Sequence, residues 1–96
     1  MNAIEVDARG LRCPLPVIRL ASAAKGVPAG TRIVVLASDP AARHDIPAWC
    51  RLRHHELREM AQVSDPPYLR FVVVTRPQPP KAAGAGSGRA RPSRAM

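Results

Sequence analysis

The stretch Gly10-Leu11-Arg12-Cys13-Pro14-Leu15-Pro16 separates a short alternating strand from an apolar helix, and it defines the first strand-turn-helix unit of the fold. Before it, apolar residues alternate with acidic ones from Ile4 to Ala8, which is the period of a half-buried strand. After it, apolar residues recur at helical spacing as far as Lys25-Gly26, where glycine favours a helix end. We therefore expect a strand that ends near Ala8 and a helix over residues 14–25.

The second helical segment carries two competing signals. Asp39 and Pro40 can begin a helix, with the Asp39 carboxylate accepting from free amides and Pro40 at the first position. Pro47 then interrupts the segment. Either the helix kinks at Pro47, or Asp45 caps a fresh helix over residues 46–53, and the pattern favours the fresh helix.

The remaining segments predict strands. Residues 31–37 form a β-branched, largely buried stretch, and residues 57–63 and 68–76 flank a Ser-Asp-Pro-Pro turn that is typical of a hairpin. The resulting order is β-α-β-α-β-β. It predicts the α+β class, as a two-layer α/β sandwich with two helices on one face of a four-stranded mixed sheet.

Cys13 is the residue that is best placed for chemistry. Gly10 gives the backbone the freedom to turn, while Pro14 and Pro16 suit the first turn of a helix and stiffen it. Free amides at the start of a helix, on Leu15 and Val17, and the nearby cation of Arg12 favour a thiolate. We therefore expect a nucleophilic Cys13 whose pKa is lowered from the ~8.5 of an ordinary thiol.

The other cysteine and the histidines favour structural roles. Cysteines are often buried as small apolar residues, and Cys50 shares a helical face with Ile46 and Trp49, so we interpret Cys50 as a core residue. A resolving role for Cys50 would require disulfide geometry with Cys13, which the sequence does not predict. Cys50 and His54 have helical spacing, but no second pair with zinc-finger spacing exists, so we expect no metal and no cofactor.

Composition and charge divide the chain at residue 76. Of the net charge of +8, residues 77–96 contribute four basic side chains and no acid, while residues 1–76 hold 11 basic and 7 acidic side chains. We expect a folded domain over residues 1–76 and a disordered, basic, Pro/Gly/Ala-rich tail over residues 77–96, either inert or able to tether RNA or an acidic partner. No signal peptide or membrane span is predicted, so we expect a cytoplasmic protein with reduced cysteines.

The chain resembles the TusA/SirA/YedF family of sulfur-relay proteins from Val6 to about Thr75. The Cys13-Pro14-x-Pro16 motif alone would be a weak signal, but Asp39-Pro40 and Asp45-Ile46-Pro47-x-x-Cys50 follow at the family's spacing. The resemblance implies the fold predicted above, a persulfide on Cys13, and partner docking near Asp39, Arg43 and Asp45. The basic tail departs from the family pattern.

This resemblance implies a sulfurtransferase that accepts sulfane sulfur on Cys13 and relays it to an acceptor protein. A cysteine desulfurase or a rhodanese would be the donor. The acceptor pathway would be 2-thiouridine synthesis in tRNA, molybdenum-cofactor synthesis or sulfur oxidation, with any contact to tRNA indirect. We expect a monomer without membrane contact. The alternatives are a small RNA- or protein-binding module, which the scattered Trp49, Tyr68 and Phe71 disfavour, and a redox regulator without transfer activity.

Overall fold

The two central strands of the sheet come from the two most apolar stretches of the chain. In the computed structural model, which describes residues 3–78, strand β2 spans Arg32–Ala37 and strand β4 spans Tyr68–Val74. They pair antiparallel in the middle of a four-stranded sheet. Their β-branched and aromatic side chains suit a pleated surface that neighbouring layers cover.

The outer strands and the helices complete the predicted order. Strand β1 (Ala3–Ala8) runs parallel to β2, and strand β3 (Glu56–Val63) runs antiparallel to β4, so the sheet order is β1-β2-β4-β3. Helix α1 (Leu15–Lys25) connects β1 to β2, and helix α2 (Ala42–Arg53) connects β2 to β3. The predicted α+β sandwich with a mixed sheet is confirmed.

Both helices pack on the same face of the sheet and share one core with it. Leu20 from α1, Ile46 from α2 and Phe71 from β4 are fully buried. The burial of these apolar side chains between the two layers is the main force that holds the helices on the sheet. The buried cluster consists of Leu20, Ile33, Val35, Ala37, Ala42, Ile46, Cys50, Leu69, Phe71 and Val73.

Helix α2 corrects the prediction of a fresh helix over residues 46–53. The helix begins at Ala42 and continues through Pro47, and Asp45 lies in its first turn instead of capping a new start. Because proline lacks an N–H, the helix loses a single backbone bond there. Ile46 and Cys50 lie four residues apart on either side of Pro47, and both are buried against the sheet. This packing keeps the helix continuous through Pro47.

The other boundaries agree closely with the pattern. Helix α1 begins one residue later than predicted, and residues 64–67 form the predicted turn between β3 and β4. Neither helix within residues 3–78 is long and apolar enough to cross a membrane. The predicted tail, residues 77–96, lies outside the described residues except for Pro77 and Gln78.

Candidate active site

Cys13 lies in a loop that follows the carboxyl end of β1, beside the loop that follows the carboxyl end of the parallel strand β2. Gly10 has a φ of 86°, a backbone conformation that side chains other than glycine disfavour. A Cβ atom at Gly10 would meet nothing within 4 Å, so the backbone angle and not a lack of space requires glycine. The Gly10 N–H donates to the Ser38 Oγ at 2.8 Å, which joins the two loops.

Asp39 forms the second connection between these loops. Its Oδ2 accepts from the Cys13 N–H at 2.8 Å, and its Oδ1 accepts from the Ala41 N–H at 3.0 Å. The prediction that Asp39 caps the second helix with Pro40 at its first position is wrong, because α2 begins at Ala42 and its N-cap residue, Ala41, has no side-chain cap bond. Asp39 instead bonds the turn that precedes α2, and the same carboxylate also holds the backbone of Cys13. The two backbone bonds, with a smaller effect of the Arg12 charge, lower the pKa of Asp39.

The environment of Cys13 overturns the prediction of a lowered pKa. The side chain is half-buried and packs against the core cluster. Burial, then the Asp45 carboxylate as an acceptor for the thiol, then the Asp39 charge raise the pKa of Cys13 to about 11. Each of these effects disfavours the charged form of the sulfur. In the free protein Cys13 is therefore a protonated thiol.

The Leu15 amide, one of the two predicted as donors to the sulfur at the start of α1, is bonded elsewhere. The Leu15 N–H donates to the Arg12 carbonyl at 2.9 Å, and neither Pro14 nor Pro16 has an N–H. Pro14 occupies the N-cap position of α1 and not the first helical position, while Pro16 is fully buried. The two prolines thus shape the turn, and they stand at positions where any other residue would have a backbone N–H donor.

Arg12 and Arg43 do not stabilise the Cys13 sulfur as charges. Arg12 is exposed, and its charge acts on Asp39, whose pKa it helps to lower. The Arg43 guanidinium donates to the Gln62 Oε1 at 3.1 Å, which directs it toward β3. Of the predicted docking candidates, Asp39 and Asp45 are thus brought to Cys13, and Arg43 is not.

An open groove runs beside Cys13. It has a volume of about 440 Å³ and lies between the two loops. Leu11 and Pro40 give it apolar walls, and Arg12 and Asp39 give it opposite charges. The groove is lined by Gly10, Leu11, Arg12, Ser38, Asp39 and Pro40.

Cys50 and the histidines lie away from this groove. Cys50 is 2% exposed in the core, where burial raises the pKa of its thiol to about 11. The His55 ring stacks on Trp49 with 5.0 Å between centroids, and its Nδ1 accepts from the Arg76 N–H. Among residues 3–78, no three His, Cys, Asp or Glu side chains are grouped as metal ligands would be.

Sequence reasoning missed Ser38 as a site residue and assigned Asp45 too general a role. The signal for Ser38 was its place directly after β2, because the carboxyl ends of neighbouring parallel strands meet at one edge of the sheet. Asp45 was predicted as a cap or a docking residue. Its effect on the pKa of Cys13 depends on α2 beginning before Asp45, which the pattern around Pro47 did not indicate.

The family described as sulfurtransferase TusA matches residues 4–75, which include both loops and all six elements except the first residue of β1. The chain belongs to the TusA family of sulfurtransferases. The crystal structure of a SirA-like protein from Desulfitobacterium hafniense is also similar, with a TM-score of 0.68 and 25% sequence identity over 77% of this chain and 99% of that one. Within the TusA family, Cys13 is the candidate residue for sulfur transfer.

Proposed function

We propose that this TusA-family chain is a sulfur carrier, in which Cys13 accepts sulfane sulfur as a persulfide and passes it to an acceptor protein. The observation that carries the proposal is the position of the Cys13 thiol, half-buried on an anchored loop beside an open groove. Cys13 is partly exposed, whereas Cys50 is enclosed in the core.

The reaction is a thiol exchange. Cys13 attacks the outer sulfur of a persulfide on the donor, the S–S bond of the donor breaks, and the donor regains a thiol. The product on Cys13 is a persulfide, and an acceptor cysteine removes its outer sulfur in the same manner. Each step conserves electrons, so the carrier requires no cofactor for the transfer.

The surface around Cys13 supports a role that depends on partner proteins. On the first turn of α1, Leu15 is 44% exposed and Ile18 is 55% exposed. Apolar side chains beside a reactive residue suit a protein contact. A cysteine desulfurase or a rhodanese is the proposed donor, and a relay protein of tRNA 2-thiouridine synthesis or of another sulfur-trafficking pathway in the cytoplasm is the proposed acceptor.

The test is intact-protein mass spectrometry after incubation with a cysteine desulfurase and cysteine. We expect a mass increment of one sulfur atom that a reductant removes, present in wild type and in Cys50→Ser and absent in Cys13→Ser. No increment in wild type would refute the carrier function and favour a binding module. Loss of the increment in both variants would assign Cys50 a part in the transfer.

A further inference from the structure

Four exposed arginines lie together at the end of the sheet that is opposite to Cys13. Arg51 and Arg53 belong to the last turn of α2, Arg58 lies near the start of β3, and Arg76 follows β4. We call the surface that these four arginines form the basic surface.

Hydrogen bonds join the elements that carry the basic surface. The guanidinium groups of Arg58 and Arg76 both donate to the Glu56 carboxylate, at 3.0 and 2.9 Å. The Gln78 side chain donates to the Arg53 carbonyl at 3.0 Å. The end of α2, the start of β3 and the segment after β4 therefore form one connected surface.

The positive charge of the basic surface exceeds the negative charge beside it. Its four guanidinium groups have one carboxylate among them, that of Glu56. The next carboxylate along β3, that of Glu59, is paired with Arg70 at 3.2 Å. Among residues 3–78, the Arg51 and Arg53 guanidinium groups have no carboxylate within ion-pair distance. Both are therefore available to an anionic partner.

The basic surface and Cys13 lie at opposite ends of strand β2. Arg32, the first residue of β2, pairs with Val74, the last residue of β4, which leads to the basic surface. Cys13 is bonded to Asp39 in the loop that follows the other end of β2. Since β2 has six residues, its two ends are about 17 Å apart. A partner at the basic surface therefore leaves the end that carries the thiol uncovered.

The chain leaves the described domain at the basic surface and continues into a more basic stretch. Gln78 is the last described residue, and its side chain is bonded to the end of α2. The residues that follow have four basic side chains and no acidic one, namely Lys81, Arg89, Arg91 and Arg94. The charge excess of the folded domain and that of the extension therefore meet at one end of the molecule.

This surface suits the phosphate backbone of a nucleic acid better than an acidic protein. Protein–protein contacts are depleted of charge at their centre, whereas nucleic-acid contacts are strongly positive and polar. Around the arginines, Leu52 is the large apolar side chain that is exposed. The planar guanidinium group also matches the geometry of phosphate oxygens.

We propose that the basic surface binds the phosphate backbone of RNA, so that the protein is held on RNA by the end opposite to Cys13. The choice of RNA over DNA rests on the proposed function, because synthesis of 2-thiouridine in tRNA is among its acceptor pathways. The phosphate contacts themselves follow from the charge and the position of the four arginines.

The first test measures the binding of a fluorescein-labelled oligouridylate to the full chain by fluorescence anisotropy. The double substitution Arg51→Gln, Arg53→Gln removes the two arginines that have no carboxylate partner. We expect its Kd to rise by about tenfold at about 50 mM salt. The slope of log Kd against log salt should fall by about 1.4, because each contact to a single-stranded phosphate contributes about 0.7.

The matched control is the double substitution Arg12→Gln, Arg43→Gln, which removes the same charge from two exposed positions near Cys13. It should bind the oligouridylate within about twofold of wild type. An equal loss of affinity in the two double variants, or no binding by wild type, would overturn the proposal. Thermal unfolding establishes that both variants are folded.

The second test addresses the class of partner. Trp49 is the single tryptophan of the chain, and it stacks on His55, whose Nδ1 accepts from the Arg76 N–H. Its emission therefore reports on the basic surface, and we expect the oligouridylate to change it with the Kd that anisotropy gives. Polyglutamate at the same charge concentration should displace the RNA at least about tenfold less well. Equal displacement by polyglutamate would favour an acidic protein, and tighter binding of a DNA duplex of the same length would overturn the choice of RNA.

The RNA proposal and the sulfur-carrier proposal are separable in the same set of variants. Cys13→Ser should bind the oligouridylate like wild type, and Arg51→Gln, Arg53→Gln should acquire sulfur like wild type. Normal RNA binding without persulfide loading would refute the carrier function alone. Normal loading, with RNA binding that the loss of Arg51 and Arg53 leaves unchanged, would refute the RNA surface alone.

Discussion

At the scale of single residues, the site depends on Gly10 and Asp39, which position Cys13 through backbone hydrogen bonds and also line the groove. Gly10 allows the turn after β1, and its N–H reaches Ser38. Asp39 fixes the next part of the loop at the Cys13 N–H. The geometry of the sulfur therefore depends on two residues that need no chemical reactivity of their own.

Gly10→Ala should destabilise the protein by about 1–2 kcal/mol, because an L side chain is strained at a φ of 86° even where space is free. Gly26→Ala is the matched control. Gly26 has a φ of −94°, and its added Cβ would meet only the Ala23 carbonyl oxygen at 4.0 Å, so its substitution should be neutral or slightly stabilising. Urea unfolding measures the stability of both variants. Equal effects would show that the backbone angle at position 10 does not require glycine.

The two thiols predict how stability changes with pH. Burial is the largest cause that raises the pKa of both Cys13 and Cys50 to about 11, so the unfolded chain, with ordinary thiols, loses these protons at lower pH. The stability from the neutral thiols is complete below the unfolded pKa of ~8.5 and is lost as the pH rises to about 11. For the buried Cys50, the loss should approach about 2–3 kcal/mol.

The measurement is urea unfolding of wild type and Cys50→Ala at pH 8, 9.5 and 11. Other groups also titrate between these pH values. The two proteins are therefore compared by how steeply their free energy of unfolding falls with pH, and not by its absolute value. Cys50→Ala should be less stable at pH 8 because of the cavity, yet should lose less stability toward pH 11. Parallel slopes would contradict a raised pKa for Cys50.

At the scale of elements, one proline suits its position in a helix and another destabilises the helix that contains it. Pro16 lies in the first turn of α1, where backbone N–H groups have no intrahelical partner, and it is fully buried. Pro47 lies in the interior of α2, where it removes one backbone bond. Packing of Ile46 and Cys50 keeps α2 in place despite this cost.

Pro47→Ala should therefore raise the free energy of unfolding by about 1–3 kcal/mol, since an alanine restores the N–H and favours the helix. Pro16→Ala is the contrasting variant. It gains no intrahelical bond and loses buried contacts, so it should lower stability. Thermal unfolding compares the two, and a Pro47→Ala protein that melts below wild type would show that α2 needs the proline for packing.

The same elements explain which parts of the fold the sequence predicts. Strand β4 and helix α1 have strong periodicity, and strand β2 is a β-branched apolar run after a turn, so their approximate bounds follow from local pattern. Helix α2 contains a proline whose effect depends on tertiary packing, and local pattern places its start four residues too late. Likewise, the choice of Cys13 as the candidate residue follows from its motif, but its raised pKa arises from burial and from Asp45, which only the folded chain brings together.

At the scale of the whole molecule, half of the net charge lies outside the part of the chain that contains the buried core. The buried cluster lies within residues 20–73, while half of the net charge of +8 belongs to residues 77–96. The ion pairs of the described residues join side chains of the strands and their flanks, as in Arg70 with Glu59 and Arg9 with Asp7. Removal of the basic residues after the core should therefore lower the net charge without changing the stability of the fold.

Removal of residues 79–96 tests this separation. The truncated chain keeps the core, both loops of the site and a net charge of +4, so its melting temperature and its persulfide loading should equal those of the full chain. Non-specific binding to RNA should weaken, and its dependence on salt should become less steep, because fewer cations displace counterions. A truncated chain that loads normally but no longer binds RNA would assign the two properties to different segments, whereas loss of loading would show that the donor docks through the basic extension and not only through the surface around Cys13.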